Sequence, residues 1–265
     1  MTVDISAAMV RELREATQAG IMDAKRALQE TGGDFDEAVR ILRERGMASA
    51  AKRAGRETTE GIVLTEADDV HGTIVAVACE TEPVSKNEDF RAFAEDVLRE
   101  VHDRGENAVD LLEARRVELS ARLGENIKVD GARRLRAEHG ETFVSYVHPP
   151  ARKIGVLLKV KNGSPELPLQ LAMHIAFARP TFRSRDEVPP ELVAAEREIL
   201  TNSDEVQSKP ENVREKIVDG MLNKRFFGES VLDEQAWIHD TNLTVAQALE
   251  QGRLELVEYV WYSVG

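Results

Sequence analysis

The stretch GIVLTEADDVHGTIVAVACET, Gly61 to Thr81, decides the fold. Two runs rich in β-branched residues, GIVLTE and GTIVAVACET, flank ADDVHG, which has the composition of a turn. Together they predict a β-hairpin. Upstream of it the apolar residues recur at helical spacing, and at Gly61 the period changes. Downstream, CETEPVSKNEDF (Cys79 to Phe90) leads from the apolar run into a charged amphipathic helix. Short polar loops at strand ends are frequent binding sites, so this one is a candidate site as well as a corner.

The first 46 residues predict three short helices. Ser6 caps the first, Met9, Val10 and Leu13 form its stripe, and Gly20 ends it. Asp23 caps the second, Ala24, Ala27 and Leu28 share a face, and Gly32-Gly33 closes it. Asp34 and Glu37 form an acidic capping box for the third, with Phe35, Ala38, Val39 and Leu42 as its stripe and Gly46 as its stop. Helices of ~10 residues cannot each bury a face alone, so they are expected to pack as a small bundle. MASAAKRAGRETTEG (Met47 to Gly61) follows as a linker, or as a helix exposed on most sides.

Beyond the hairpin, Ser85 and Glu88 predict a helix start, and Phe90, Phe93, Ala94, Val97, Leu98 and Val101 its apolar face. A second helix is predicted from Leu111 to Leu123. GENIKVDGARRL, TFVSYVH and KIGVLLKV are strand candidates, and ELPLQLAMHIAFA is a helix that tolerates Pro168 in its first turn. Pro189 to Phe227, broken at SKPEN (Ser208 to Asn212), predicts a helical hairpin. Thr244 caps a short helix to Gly252, and LELVEYVWYSVG is a closing strand. Helices and strands are mixed without regular βα alternation. The expected fold class is α+β, with a small helical domain ahead of the core.

The net charge of -13 argues against a nucleic-acid-binding body, because phosphate binding needs a basic face. AAKRAGR (Ala50 to Arg56) is a local basic patch, most simply a solvated helix end. The single cysteine, Cys79, excludes an internal disulfide and any multi-cysteine metal site. A reducing compartment is natural for such a chain, no apolar run is long enough to span a bilayer, and MTVDISAAMVREL lacks the pattern of a leader. The expectation is a cytoplasmic protein.

Catalytic signatures do not emerge. GxxxxGK[ST], GxGxxG, HExxH and GxSxG are all missing from the sequence. No two of the six histidines, His71, His102, His139, His148, His174 and His239, are spaced to present a metal-binding pair on a helix. His174 lies in an apolar helix and is expected in a core or an interface. Cys79 lies in an apolar strand and is expected to be an inert thiol. The 48 carboxylates are scattered and define no acid–base pair. These absences shift weight toward a protein that acts by binding another macromolecule, with no cofactor and no metal of its own.

VRELREATQAGIMDAKRALQETGGDFDEAVRILRERGMASAAKRAGRETTEGIV closely resembles the N-terminal region of the elongation factor Ts family. YVHPPARKIGVLL, AMHIAFARPTF, DEVPPELVAAEREI, KPENVREKIVDGML and TNLTVAQALEQ resemble the same family, in its order, over nearly the whole chain. The resemblance implies a three-helix domain of the ubiquitin-associated type with its linker over 1–55. It implies an α+β core in two subdomains, 56–140 and 141–265, and a dimerisation-type helical hairpin inserted at about 188–227. Longer members carry a further C-terminal helix, which is not expected here, since the last strand candidate runs to Gly265.

It also implies a function. Members of the family bind elongation factor Tu carrying GDP and promote its exchange for GTP, without covalent chemistry. In the family the opening loop reads Thr-Asp-Phe-Val followed by small-Lys-Asn/Asp, and its phenylalanine wedges into the partner and disturbs the magnesium ion that holds GDP. Here the residues are Thr81, Glu82, Pro83 and Val84, followed by Ser85, Lys86 and Asn87. The acid is one methylene longer and the aromatic wedge is replaced. Pro83 either stiffens the corner or marks a modified or weaker route to magnesium. A chain that binds elongation factor Tu as a chaperone or scaffold, with weakened exchange, is the alternative. Arg14, Ile21 and Met22 fall on family positions that touch a helix of the partner's GTPase domain, although Ile21 and Met22 can also plug the bundle. His148 falls on the subdomain that approaches the partner's third domain.

Overall fold

The computed structural model describes residues 5–17 and 19–265. Residues 1–4, part of the N-terminal stretch read above, lie outside the described residues. Helices α1 (Ala7–Thr17), α2 (Ile21–Glu30) and α3 (Phe35–Arg53) form the expected bundle. Its core is Val10, Leu13, Ala24, Ala27, Leu28 and Ala38, with Phe35, Val39 and Leu42 packed against them.

Several helix ends differ from expectation. The Ser6 hydroxyl does accept the Met9 N–H, at 3.2 Å. Gly20 is the N-cap of α2 rather than the stop of α1, and Asp23 sits in the first turn of α2, where a carboxylate suits the helix dipole. Asp34 caps α3 through the Glu37 N–H at 3.0 Å. The capping box is only half made, because the Glu37 carboxylate takes the Arg40 guanidinium instead. The largest correction concerns Gly46, where α3 does not stop. A Cβ there would stand 2.8 Å from the Ala121 Cβ, so the glycine lets α3 pass close to helix α6 (Glu113–Leu123). The segment read as a linker or a mostly exposed helix is therefore helical to Arg53, with Ala50 buried.

The hairpin is present as β1 (Glu60–Ala67) and β2 (His71–Cys79), antiparallel, with Glu60 opposite Cys79. Asp68 closes its turn by accepting the Val70 and His71 N–H groups at 2.6 and 2.7 Å. Those bonds, His71 first, hold its carboxyl down at about 2. Strand β3 (Lys128–Arg136) completes the first sheet, in the order β1-β2-β3. The second sheet has the order β4-β5-β6, from Thr142–Val147, Ile154–Asn162 and Leu254–Ser263.

The two sheets face each other. Val63, Ile74, Ala76, Ala78 and Leu135 of the first meet Leu157, Val260 and Tyr262 of the second. Helix α5 (Glu88–Arg104) covers the outer face of the first sheet, with Phe90, Phe93, Val97 and Val101 against Val75, Val77 and Cys79. This explains the unbroken apolar run of β2, since both of its faces are buried. Helices α7 (Leu167–Ala178) and α12 (Val245–Gln251) cover the outer face of the second sheet. The result is a helix–sheet–sheet–helix stack behind the bundle.

The short α4 (Glu82–Ser85) separates β2 from α5. Its existence moves the start of α5: Asn87 is the cap, accepting the Asp89 and Phe90 N–H groups at 2.9 and 3.3 Å, while the Ser85 hydroxyl bonds back to the Glu82 carbonyl. Before α6, Glu106–Leu112 is a 3-10 turn, so the expected Leu111–Leu123 helix begins two residues later. The helical hairpin is built from α8 (Pro190–Thr201) and α10 (Glu211–Met221), with the one-turn α9 (Asp204–Gln207) between them. It continues through a π-helical segment, Leu222–Phe227, into α11 (Gly228–Ser230). Thr244 and Gln247 form a full capping box on α12. Among the described residues, no helix is long and apolar enough to cross a membrane.

Candidate functional site

The loop from Glu80 to Asn87 leaves the end of β2 where three elements meet. Thr81 is extended backbone ahead of α4, and Pro83 lies in the first turn of that helix, where a missing N–H costs nothing. Thr81, Glu82, Pro83 and Lys86 are exposed, Val84 and Asn87 are half-buried, and Ser85 is buried. Val84 anchors the loop against the α5 core.

The base of the loop is held by carboxylates that sequence reasoning missed. Glu125 Oε2 accepts the Glu80 and Thr81 N–H groups at 3.1 and 3.0 Å, and Glu125 Oε1 accepts the Thr81 hydroxyl at 2.5 Å. In return, Glu80 Oε1 accepts the Asn126 N–H at 2.6 Å. The buried Asn126 amide then donates to the Arg56 and Ala54 carbonyls at 2.8 and 3.3 Å. Nothing in the one-dimensional text connects Thr81 with Glu125, which lies 44 residues away. The nearest hint is Gly124, a left-handed helix stop that turns the following residues toward β3.

At the tip, Lys86 Nζ sits 2.7 Å from Glu82 Oε1. The hydrogen bond from Lys86 holds the Glu82 carboxyl below the usual carboxylate range. The β4–β5 turn approaches the same edge: Lys153 Nζ lies 2.7 Å from Glu60 Oε1, and Glu60 is the strand partner of Cys79. His148 is in that turn, exposed, with its Nδ1 2.7 Å from the Tyr146 hydroxyl. The fold thus brings the 81–87 loop and the turn carrying His148 to one edge of the core.

Arg14, Ile21 and Met22 stand on the bundle. Ile21 is 60% and Met22 65% exposed, so neither plugs the bundle interior. Arg14 is exposed on the last turn of α1. Two adjacent large apolar side chains left in solvent suit an interface.

Covalent chemistry finds little support in this geometry. Burial, with the Glu125 carboxylate behind it, pushes the Cys79 thiol up to about 12, so the thiolate is not available at neutral pH. Thr73, His102 and Asp68 form a chain at 2.9 and 3.1 Å in the order of a hydrolase triad, yet Thr73 is fully buried and its hydroxyl meets no substrate. His174 is also fully buried. Its Nε2 lies 3.0 Å from Gln235 Oε1 and its ring stacks on Trp237 at 5.2 Å, the expected core histidine. Among the described residues, no group of three or more His, Cys, Asp or Glu is placed to hold a metal ion.

The family model described as elongation factor TS matches residues 80–265, from the clamped loop to the last strand. The chain belongs to the elongation factor Ts family. Elongation factor Ts of Enterobacter sp. (strain 638) is 38% identical over 266 residues, which covers 99% of this chain and 92% of that protein. Elongation factor Ts of Erwinia tasmaniensis and of Yersinia pestis (strain Pestoides F) are each 37% identical at the same coverage. Membership of the elongation factor Ts family places the chain among translation elongation factors, with a role in protein biosynthesis.

Proposed function

We propose that this chain binds elongation factor Tu and speeds its release of GDP, so that GTP can take the vacated site. The single observation that carries this is an exposed helical tip, Glu82-Pro83, on a base fixed by the core, in a chain of the elongation factor Ts family. In this reading Thr81, Glu82, Pro83, Val84, Lys86 and Asn87 meet the partner's nucleotide domain and perturb its magnesium site. Arg14, Ile21 and Met22 meet the same domain from the bundle, and His148 approaches the partner's third domain. The matching division of the chain is bundle and linker over 1–55, core subdomains 56–140 and 141–265, and a helical hairpin at about 188–227 through which a second copy can dock.

The mechanism is differential binding. A protein that grips the nucleotide-free partner more tightly than the GDP-bound one weakens GDP binding by the same factor. Each tenfold gain in release rate lowers the barrier by about 1.4 kcal/mol, so several modest contacts, each stronger with the empty site, suffice. A bound magnesium ion supplies much of the local charge at a phosphate site, so disturbing it is an efficient way to loosen GDP. The test is the release rate of a fluorescent GDP from elongation factor Tu with this chain added. A severalfold or larger acceleration is expected, and none at micromolar chain overturns the proposal.

One observation favours a second reading, a scaffold for elongation factor Tu with weakened exchange. The loop tip carries no aromatic ring, and its acid is already paired with Lys86. Co-elution of the two proteins without faster GDP release would select it.

A further inference from the structure

We propose that Glu125 is a positioning residue for nucleotide exchange, holding the 81–87 loop at a fixed spacing from the three-helix bundle; this rests on the exchange function proposed above. The geometry is a clasp. One carboxylate accepts three donors from the loop base, the Glu80 and Thr81 N–H groups and the Thr81 hydroxyl. The next residue, Asn126, is 2% exposed and binds the carbonyls of Ala54 and Arg56, which directly follow α3. Glu80 closes the ring by accepting the Asn126 N–H, and Arg56 Nη1 lies 3.5 Å from the Glu80 carboxylate.

Together these links run from the exposed loop, through Glu125 and Asn126, to the residues that follow the bundle's third helix. Bonds to an ionised acceptor are the stronger kind and fix direction as well as distance. Thr81 spends its hydroxyl internally, so that group supports the loop, and the polar groups that face outward at the tip are those of Glu82 and Lys86 beside Pro83.

The role is distinct from general stability. The core beneath the loop is Phe90, Phe93, Val97, Val77 and Ile127, and none of these side chains takes part in the clasp. The consequence falls on the loop. An exchange factor must spend binding energy on pushing the partner's site, and a tip that yields on contact binds without pushing.

The experiment is GDP release from elongation factor Tu, titrated with the full chain to saturation. Glu125→Gln keeps the size but replaces one acceptor oxygen with a donor. It is expected to lower the saturating release rate about tenfold. The half-saturating concentration is expected to stay within about threefold, since the bundle contacts remain, and the melting temperature within a few degrees. Thr81→Val, which removes only the hydroxyl, is expected to give a smaller loss of the same kind. Combined with Glu125→Gln it should add less than its own separate effect, because the two groups share one hydrogen bond. If the unaltered chain accelerates release and Glu125→Gln matches it, the clasp falls and the exchange function stands. A lower rate, a higher half-saturating concentration and a lower melting temperature together in both variants would mark Glu125 as structural only, and would also overturn the clasp. If the unaltered chain fails to accelerate release, both proposals fall.

Discussion

Replacing Pro83 by phenylalanine puts an aromatic ring at the tip of the 81–87 loop without disturbing its base. Pro83 is exposed, so a larger side chain displaces nothing inside the protein. The restored N–H falls in the first turn of α4, where helix donors have no internal partner in any case. The internal cost is the lost restriction of the unfolded chain, about 0.4–1 kcal/mol, which moves the melting temperature by only a few degrees. At an interface the ring is worth far more. Truncating a central aromatic typically costs about 2–4 kcal/mol, and proline already covers part of that area, which leaves a difference of about 1.5–3 kcal/mol. Spent wholly on the barrier to GDP release, that is a gain of about 10–150-fold in rate. Stopped-flow release of a fluorescent GDP from elongation factor Tu of the same organism, at saturating chain, measures it directly. Any share spent on binding appears instead as a lower half-saturating concentration. Equal rates and equal half-saturation for Pro83→Phe and the native chain would refute the reasoning, because position 83 would then be idle in exchange. A slower rate would also refute it, and would point to a partner pocket shaped around the proline.

Other perturbations separate stability from binding. Leu13→Ala empties a fully buried site in the bundle and is expected to cost about 2–5 kcal/mol of bundle stability, visible as an early helical melting phase by circular dichroism. Ile21→Ser with Met22→Ser changes exposed side chains, so melting should move by no more than about 0.5 kcal/mol equivalent while the half-saturating concentration for exchange rises about tenfold or more. His174 gives a pH signature. Burial lowers its pKa, so the unfolded chain binds the proton more readily. The stability it contributes is complete above the unfolded value of about 6.5 and is lost as pH falls below that through the folded value. Urea unfolding at pH 7.5 and pH 5.5 should therefore show a smaller acid loss for His174→Gln than for the native chain.

Most elements were legible because their signals are local. The β1–β2 hairpin, the α5 stripe, the Thr244 cap and the Pro-bounded helical hairpin each write their pattern within one continuous stretch of chain. The misplaced boundaries share a cause. Gly46 reads as a stop because glycine is a poor helix former, yet here it serves the approach of α6, a partner some 70 residues away. Ser85 reads as a cap, but α4 places it inside a helical turn and hands the cap to Asn87. The candidate site divides in the same way. Position and chemistry of the loop tip were readable from Glu82 and Pro83, whereas the Glu125 and Asn126 supports were not.

The amino-acid order alone determined most of the helix and strand segments, that the two kinds mix behind a bundle, and which exposed loop is the candidate site. Those properties follow from side-chain periodicity and backbone preference, which act over a few bonds. Only the tertiary structure decided that Ile21 and Met22 face solvent, that the turn with His148 lies at the edge of the 81–87 loop, and that Glu125 grips its base. These are meetings between residues far apart in the chain, selected by which faces two packed sheets and their covering helices must bury together, and no local pattern encodes that choice.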